Sequence, residues 1–99
     1  MAYTVTKAND SHYQYFKKEV IDQGAGYIVS NANSIIGLFS FMIEGTKATL
    51  SFTYVYDLKA IQEAIEAFLK DYQEVKRIIY TGNQNLSKIG FNQKIYDRK

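Results

Sequence analysis

Polar and apolar residues alternate from Tyr3 to Lys7, with Tyr3 and Val5 set against Thr4 and Thr6, which is the period of a half-buried strand. Asn9, Asp10 and Ser11 then offer side-chain oxygens of the kind that cap a helix start, and Ser11 with Gln14 three residues on fits a capping box. The spacing of Tyr13, Phe16, Val20 and Ile21 predicts a core-facing helix that ends before Gly24 and Gly26. Tyr27 to Ser30 reads as a short strand, and Asn31 to Ser34 as a polar turn. Ile35 to Ile43 is apolar on both alternating faces except at Gly37 and Ser40, the pattern of a strand in the middle of a sheet.

Glu44, Gly45 and Thr46 make a tight hairpin connection, and Lys47 to Tyr56 then alternates cleanly. Strict alternation places Ala48, Leu50, Phe52, Tyr54 and Tyr56 on one face and Thr49, Ser51, Thr53 and Val55 on the other. Asp57 is a natural N-cap for a helix in which Leu58, Ile61, Ile65, Phe68, Leu69 and Tyr72 form one apolar stripe, with Glu66 and Lys70 paired outside. Val75 to Tyr80 returns as a strand, parallel to its predecessor because a helix intervenes. Asn83 to Lys88 has room for one or two helical turns, Gly90 is a turn or cap residue, and Phe91 to Tyr96 is a last edge strand before Asp97, Arg98 and Lys99. The reading is α+β: a single-layer mixed sheet with helices on its faces, in the order β-α-β-β-β-α-β, then a short helix and a strand.

Composition narrows what such a sheet can do. The chain has 99 residues, 46% hydrophobic and 15% aromatic, which suits one domain over residues 1–99. There is no cysteine, so disulfides, thiolate nucleophiles and thiolate metal sites fall away together. Twelve basic and ten acidic residues leave a net charge of +2, too small and too mixed to imply a nucleic-acid partner or a membrane surface. The N-terminal residues carry no apolar stretch of leader length and no run approaches a membrane span, so the expected location is cytoplasmic. His12 is the one histidine, and no acidic cluster has calcium-loop spacing, so no metal is expected.

Three consecutive antiparallel strands, a helix, a parallel strand and a short helix ending on Lys88, Ile89, Gly90 and Phe91 resemble the core of the GNAT superfamily of N-acyltransferases, whose closing element is similar to that tetrapeptide. The resemblance covers about residues 27–96, and it implies acetyl-CoA as cofactor and a small-molecule or protein amine as acceptor. It further implies that the backbone of Thr53, Tyr54 and Val55 holds the pantetheine arm in a slot between two splayed parallel strands. Leu58, Lys59 and Ala60 would then lie at the pyrophosphate and Asn85, or Asn83, near the cofactor.

Residue by residue, the carry-over is incomplete. The segment Tyr56 to Ala60 has no glycine, and Asp57 puts a carboxylate where two phosphates would approach the helix N-terminus. The family's tyrosine general acid falls on Leu86, which has no proton to give, leaving Tyr80 and Tyr96 as neighbouring hydroxyls. Glu44 and His12 are the candidate bases, each equally explained as an exposed turn or helix-start residue. Phe52, Tyr54 and Tyr56 with Lys47 and Lys59 offer a stacking surface for unpaired bases, although the same alternation is what core packing against the following helix requires. Two functions follow: a minimal N-acyltransferase acting on an amine, or a GNAT-like interaction module without acetyl-CoA chemistry, such as a homodimer packing Phe91 and Tyr96 against its partner.

Overall fold

The computed structural model describes residues 3–12 and 14–98, with Thr53 described by its backbone. Tyr13, counted above in the first apolar stripe, lies outside the described residues. Six strands form one open mixed sheet in the order β1-β2-β3-β4-β5-β6, so every strand lies beside its predecessor in the chain. These are β1 (Thr4–Lys7), β2 (Gly26–Asn31), β3 (Ser34–Glu44), β4 (Lys47–Val55), β5 (Arg77–Tyr80) and β6 (Ile95–Asp97). Neighbours are antiparallel except β4 and β5, which run parallel because the 14-residue helix α2 (Leu58–Asp71) crosses between them. The fold is therefore α+β with helices on both faces of a mixed sheet.

The main core lies between the sheet and α2. Ala60, Ile61, Ala64, Ile65 and Phe68 of the helix are buried against Tyr27, Val29, Phe39, Phe41, Leu50 and Ile78 of the strands. Phe68 stacks on Phe41 with ring centroids 3.9 Å apart, and Tyr27 meets both rings edge-on at 5.7 and 6.1 Å. Such aromatic contacts add to the burial that holds the helix down. The expected partner of Glu66 was Lys70; instead its carboxyl is raised by burial and by a hydrogen bond with Glu63 on the same helix.

The opposite face carries a smaller cluster of Ala8, Phe16, Val20, Ile21 and Ile28, with Leu38 packed against it. Phe16, Val20 and Ile21 bury as their spacing predicts, but not on one continuous helix. Residues Asp10–His12 form a 3-10 turn, and α1 is only Lys18–Asp22. The break is local chemistry: Asn9 Oδ1 accepts from the Ser11 N–H at 2.9 Å, and the Asn9 N–H donates to His12 Nδ1 at 2.9 Å, bonds that compete with a helical ladder. Asn9, not a Ser11–Gln14 box, organises this start. The end of α1 is a Schellman motif, in which Gly24 at φ +68° lets Ala25 N–H reach Val20 O at 3.0 Å and Gly24 N–H reach Ile21 O at 2.9 Å.

Beyond β5 the chain is less regular than its pattern predicts. One 3-10 turn at Ser87–Ile89 replaces a helix over residues 83–88, and β6 begins at Ile95 after a turn closed by Asn92 and Ile95. Leu86 and Phe91 are buried in the main core. Arg98 then reaches back under α2, where its Nε donates to Val75 O at 2.8 Å and its Nη2 to Tyr72 O at 2.8 Å and Leu69 O at 3.1 Å. A cation thus satisfies carbonyls that the C-terminal end of the helix leaves open. Among the described residues, no helix is long and apolar enough to cross a membrane.

Candidate functional site

The corner where β4 runs past β5 is built by a difference in length. Parallel pairing extends from Lys47 opposite Arg77 to Leu50 opposite Tyr80, where β5 ends, while β4 continues to Val55. Their pairing stops there. On its other side β4 pairs with β3, and the register steps from Phe52 opposite Phe39 to Tyr54 opposite Leu38, leaving Thr53 as an inserted residue. A bulge of this kind frees backbone groups from the ladder and bends the strand.

That inserted residue reverses the expected faces. Phe52 remains on the α2 side, where its ring stacks on Tyr80 at 5.3 Å with planes 6° apart. After Thr53, Val55 packs against the main core, while Tyr54 opposes Leu38 on the α1 side and is 47% exposed. Tyr56 is 73% exposed. The uninterrupted alternation over Lys47 to Tyr56 is thus corrected at its second half, because a one-residue insertion moves every later side chain to the other face.

The N-terminus of α2 follows directly. Asp57 is in extended conformation and its Oδ1 accepts from the Ala60 N–H at 3.0 Å, the N-cap predicted from its residue type. Its Oδ2 accepts from the Tyr3 hydroxyl at 2.6 Å. The Tyr3 phenol is held above its ordinary pKa by that bond first and by burial second. Ala60 is fully buried, Leu58 packs against the core, and the exposed Lys59 places its ammonium 5.2 Å from the centre of the Tyr3 ring.

Thr53, Tyr54, Val55, Leu58, Lys59 and Ala60 therefore lie along one continuous corner, whereas Asn85 serves its own turn, its Oδ1 accepting from the Ser87 N–H at 2.9 Å. Leu86, where the resemblance would put a general acid, is wholly buried. Tyr80 is buried as well, its hydroxyl accepting from the Gln84 N–H at 3.4 Å. Of the candidate bases, Glu44 closes a two-residue hairpin opposite Lys47, and His12 has its Nδ1 engaged by Asn9. Phe91 is buried and packs on Tyr96 with ring centroids 5.5 Å apart, so the pair suggested for a homodimer contact is used inside the chain. Among the described residues, no three His, Asp or Glu side chains gather into a metal-binding group.

The pattern did not reveal a cavity of about 380 Å³ where the start of β1, the β2–β3 turn and the end of β4 meet. Tyr3, Tyr54 and Tyr56 line it together with Ile35 and Ile36. Strict alternation places Tyr54 and Tyr56 on the core face; the bulge is what turns them outward together. A scan against protein-family models finds no match to this chain, and searches of curated proteins and of solved structures find none either.

Proposed function

We propose that the chain is a GNAT-like scaffold that works as a non-catalytic interaction module, with the tyrosine-bearing end of β4 as its recognition surface. The observation that carries this reading is the double engagement of Asp57. One carboxylate oxygen caps α2 and the other holds Tyr3, so the place where a pyrophosphate would meet the helix N-terminus is filled by a fixed negative charge. These residues do not fit the diphosphate of acetyl-CoA. Buried Leu86 agrees with the same reading, since it has no proton to give, and Asn85 spends its Oδ1 on its own turn.

A second reading, a minimal N-acyltransferase moving acetyl from acetyl-CoA to a primary amine, is favoured by one feature. The end of β4–β5 pairing at Leu50, together with the bulge at Thr53, leaves the β5-facing edge of β4 without a paired strand over Thr53 to Val55, as a pantetheine arm would need. Isothermal titration with acetyl-CoA and with CoA separates the two. The interaction module predicts no binding to the wild-type chain or to Asp57→Asn. Micromolar binding that tightens in Asp57→Asn would replace it with the acyltransferase.

A further inference from the structure

We propose that the tyrosine-lined cavity at the open end of β4 binds a small quaternary-ammonium compound of the choline type. This deepens the interaction reading above by naming a ligand for its surface. The cavity, about 380 Å³, has the size of a small-ligand pocket. Its lining is Tyr3, Tyr54 and Tyr56, Ile35 and Ile36, with Asn31 and Ser34 as its polar members, and among the described residues no lysine, arginine or carboxylate lines it. Ring faces attract cations through their negative quadrupole, and three tyrosines converging on one space are the arrangement that recognises methylated ammonium groups.

Two contacts point to a cation rather than to an anion or a neutral guest. The Tyr3 hydroxyl donates to the Asp57 carboxylate at 2.6 Å, which pushes electron density into the ring and sets a negative charge behind it. Lys59 already holds an ammonium 5.2 Å from the centre of that same ring, within cation–π range, so the Tyr3 ring engages a cation of its own chain. A fully methylated ammonium suits the site better than a primary amine. It carries no N–H groups, so the tyrosine and isoleucine part of the lining leaves no donor of its cationic head unpaired, while Asn31 and Ser34 remain for the choline hydroxyl. Nucleotides, which such rings would stack, carry a phosphate that the Asp57 carboxylate bound to Tyr3 opposes.

The test is a titration of the full chain with choline, followed by tyrosine fluorescence, which no tryptophan obscures because the chain has none. The uncharged carbon isostere 3,3-dimethylbutan-1-ol and adenosine monophosphate serve as comparison ligands. Saturable choline binding, about tenfold tighter than that of the isostere, is expected from the cation–π contribution. Tyr54→Ala and Tyr56→Ala, both at exposed positions, should each weaken it by a similar factor. Equal binding of choline and its isostere, tighter binding of adenosine monophosphate, or no choline binding by a folded chain each overturn the proposal. A negative result here alongside no acetyl-CoA binding removes only the ligand. Acetyl-CoA binding alongside choline binding removes only the non-catalytic reading.

Discussion

The phenol of Tyr3 donates a 2.6 Å hydrogen bond to Oδ2 of Asp57, 54 residues away, and so ties the entry of the first strand to the first turn of α2. Asp57→Ala removes both the cap and this tie. The cap alone is worth about 1 kcal/mol, so urea unfolding should show at least that loss. Asp57→Asn keeps an acceptor for the Ala60 N–H and should lose less. Tyr3→Phe should lower the midpoint in the wild-type chain and leave it unchanged in Asp57→Ala; equal effects in both backgrounds would mean the contact contributes nothing.

The bulge at Thr53 makes opposite demands on its two successors. Val55 packs on the core and Tyr54 stands 47% exposed, so Val55→Ser should cost about 1 kcal/mol or more, while Tyr54→Ser should stay within about 0.5 kcal/mol. An unbroken strand would reverse that order, which thermal unfolding of the two variants reads directly.

Tyr27 sets an alkaline limit. It is 1% exposed, and its hydroxyl donates to Asp71 Oδ2 at 2.7 Å; burial first and the carboxylate second push its pKa far above the ordinary value of 10.0. The unfolded phenol ionises near pH 10 while the folded one stays neutral. The stability this residue brings is therefore complete below about pH 10 and is withdrawn as the pH rises above it. Stability measured from pH 8 to 11.5 should fall across the upper part of that range. Tyr27→Phe should lose about 1 kcal/mol at pH 8 and show a shallower alkaline decline.

Arg98 closes the far end of α2 with three carbonyl contacts. Hydrogen bonds from a charged donor are the stronger kind, so Arg98→Ala should cost about 2 kcal/mol. Arg98→Lys should recover only part of that, because an ammonium cannot span three carbonyls from one planar fork. Full recovery by lysine, measured by chemical denaturation, would mean that charge near the helix end matters and the fork does not.

How much of this was legible before the coordinates depends on how local the determining chemistry is. The helix over Leu58–Asp71 could be read because its apolar spacing and its Asp57 cap agree within one stretch of chain, and the hairpin at Gly45 because two residues suffice to define it. The bulge could not, since a period of two contains no mark for an inserted residue and both Tyr54 and Val55 suit a half-buried strand. The break before α1 comes from the Asn9 N–H donating to the His12 ring while the Asn9 side chain accepts from the Ser11 N–H, and only the capping tendency of Asn9 was visible. The burial of Leu86, within the helical turns expected over Asn83 to Lys88, could not be read because the core it joins comes from elements far away in the chain. At the candidate corner, Asp57 as cap was legible, whereas its bond to Tyr3 and the tyrosine cavity were not, since both join segments remote in sequence.

With each strand docking beside the one just before it, the sheet can be laid down in order as the polypeptide emerges from the ribosome. No strand has to leave a gap for a later arrival, so few unpaired edges wait exposed during synthesis, and aggregation through them is correspondingly curtailed.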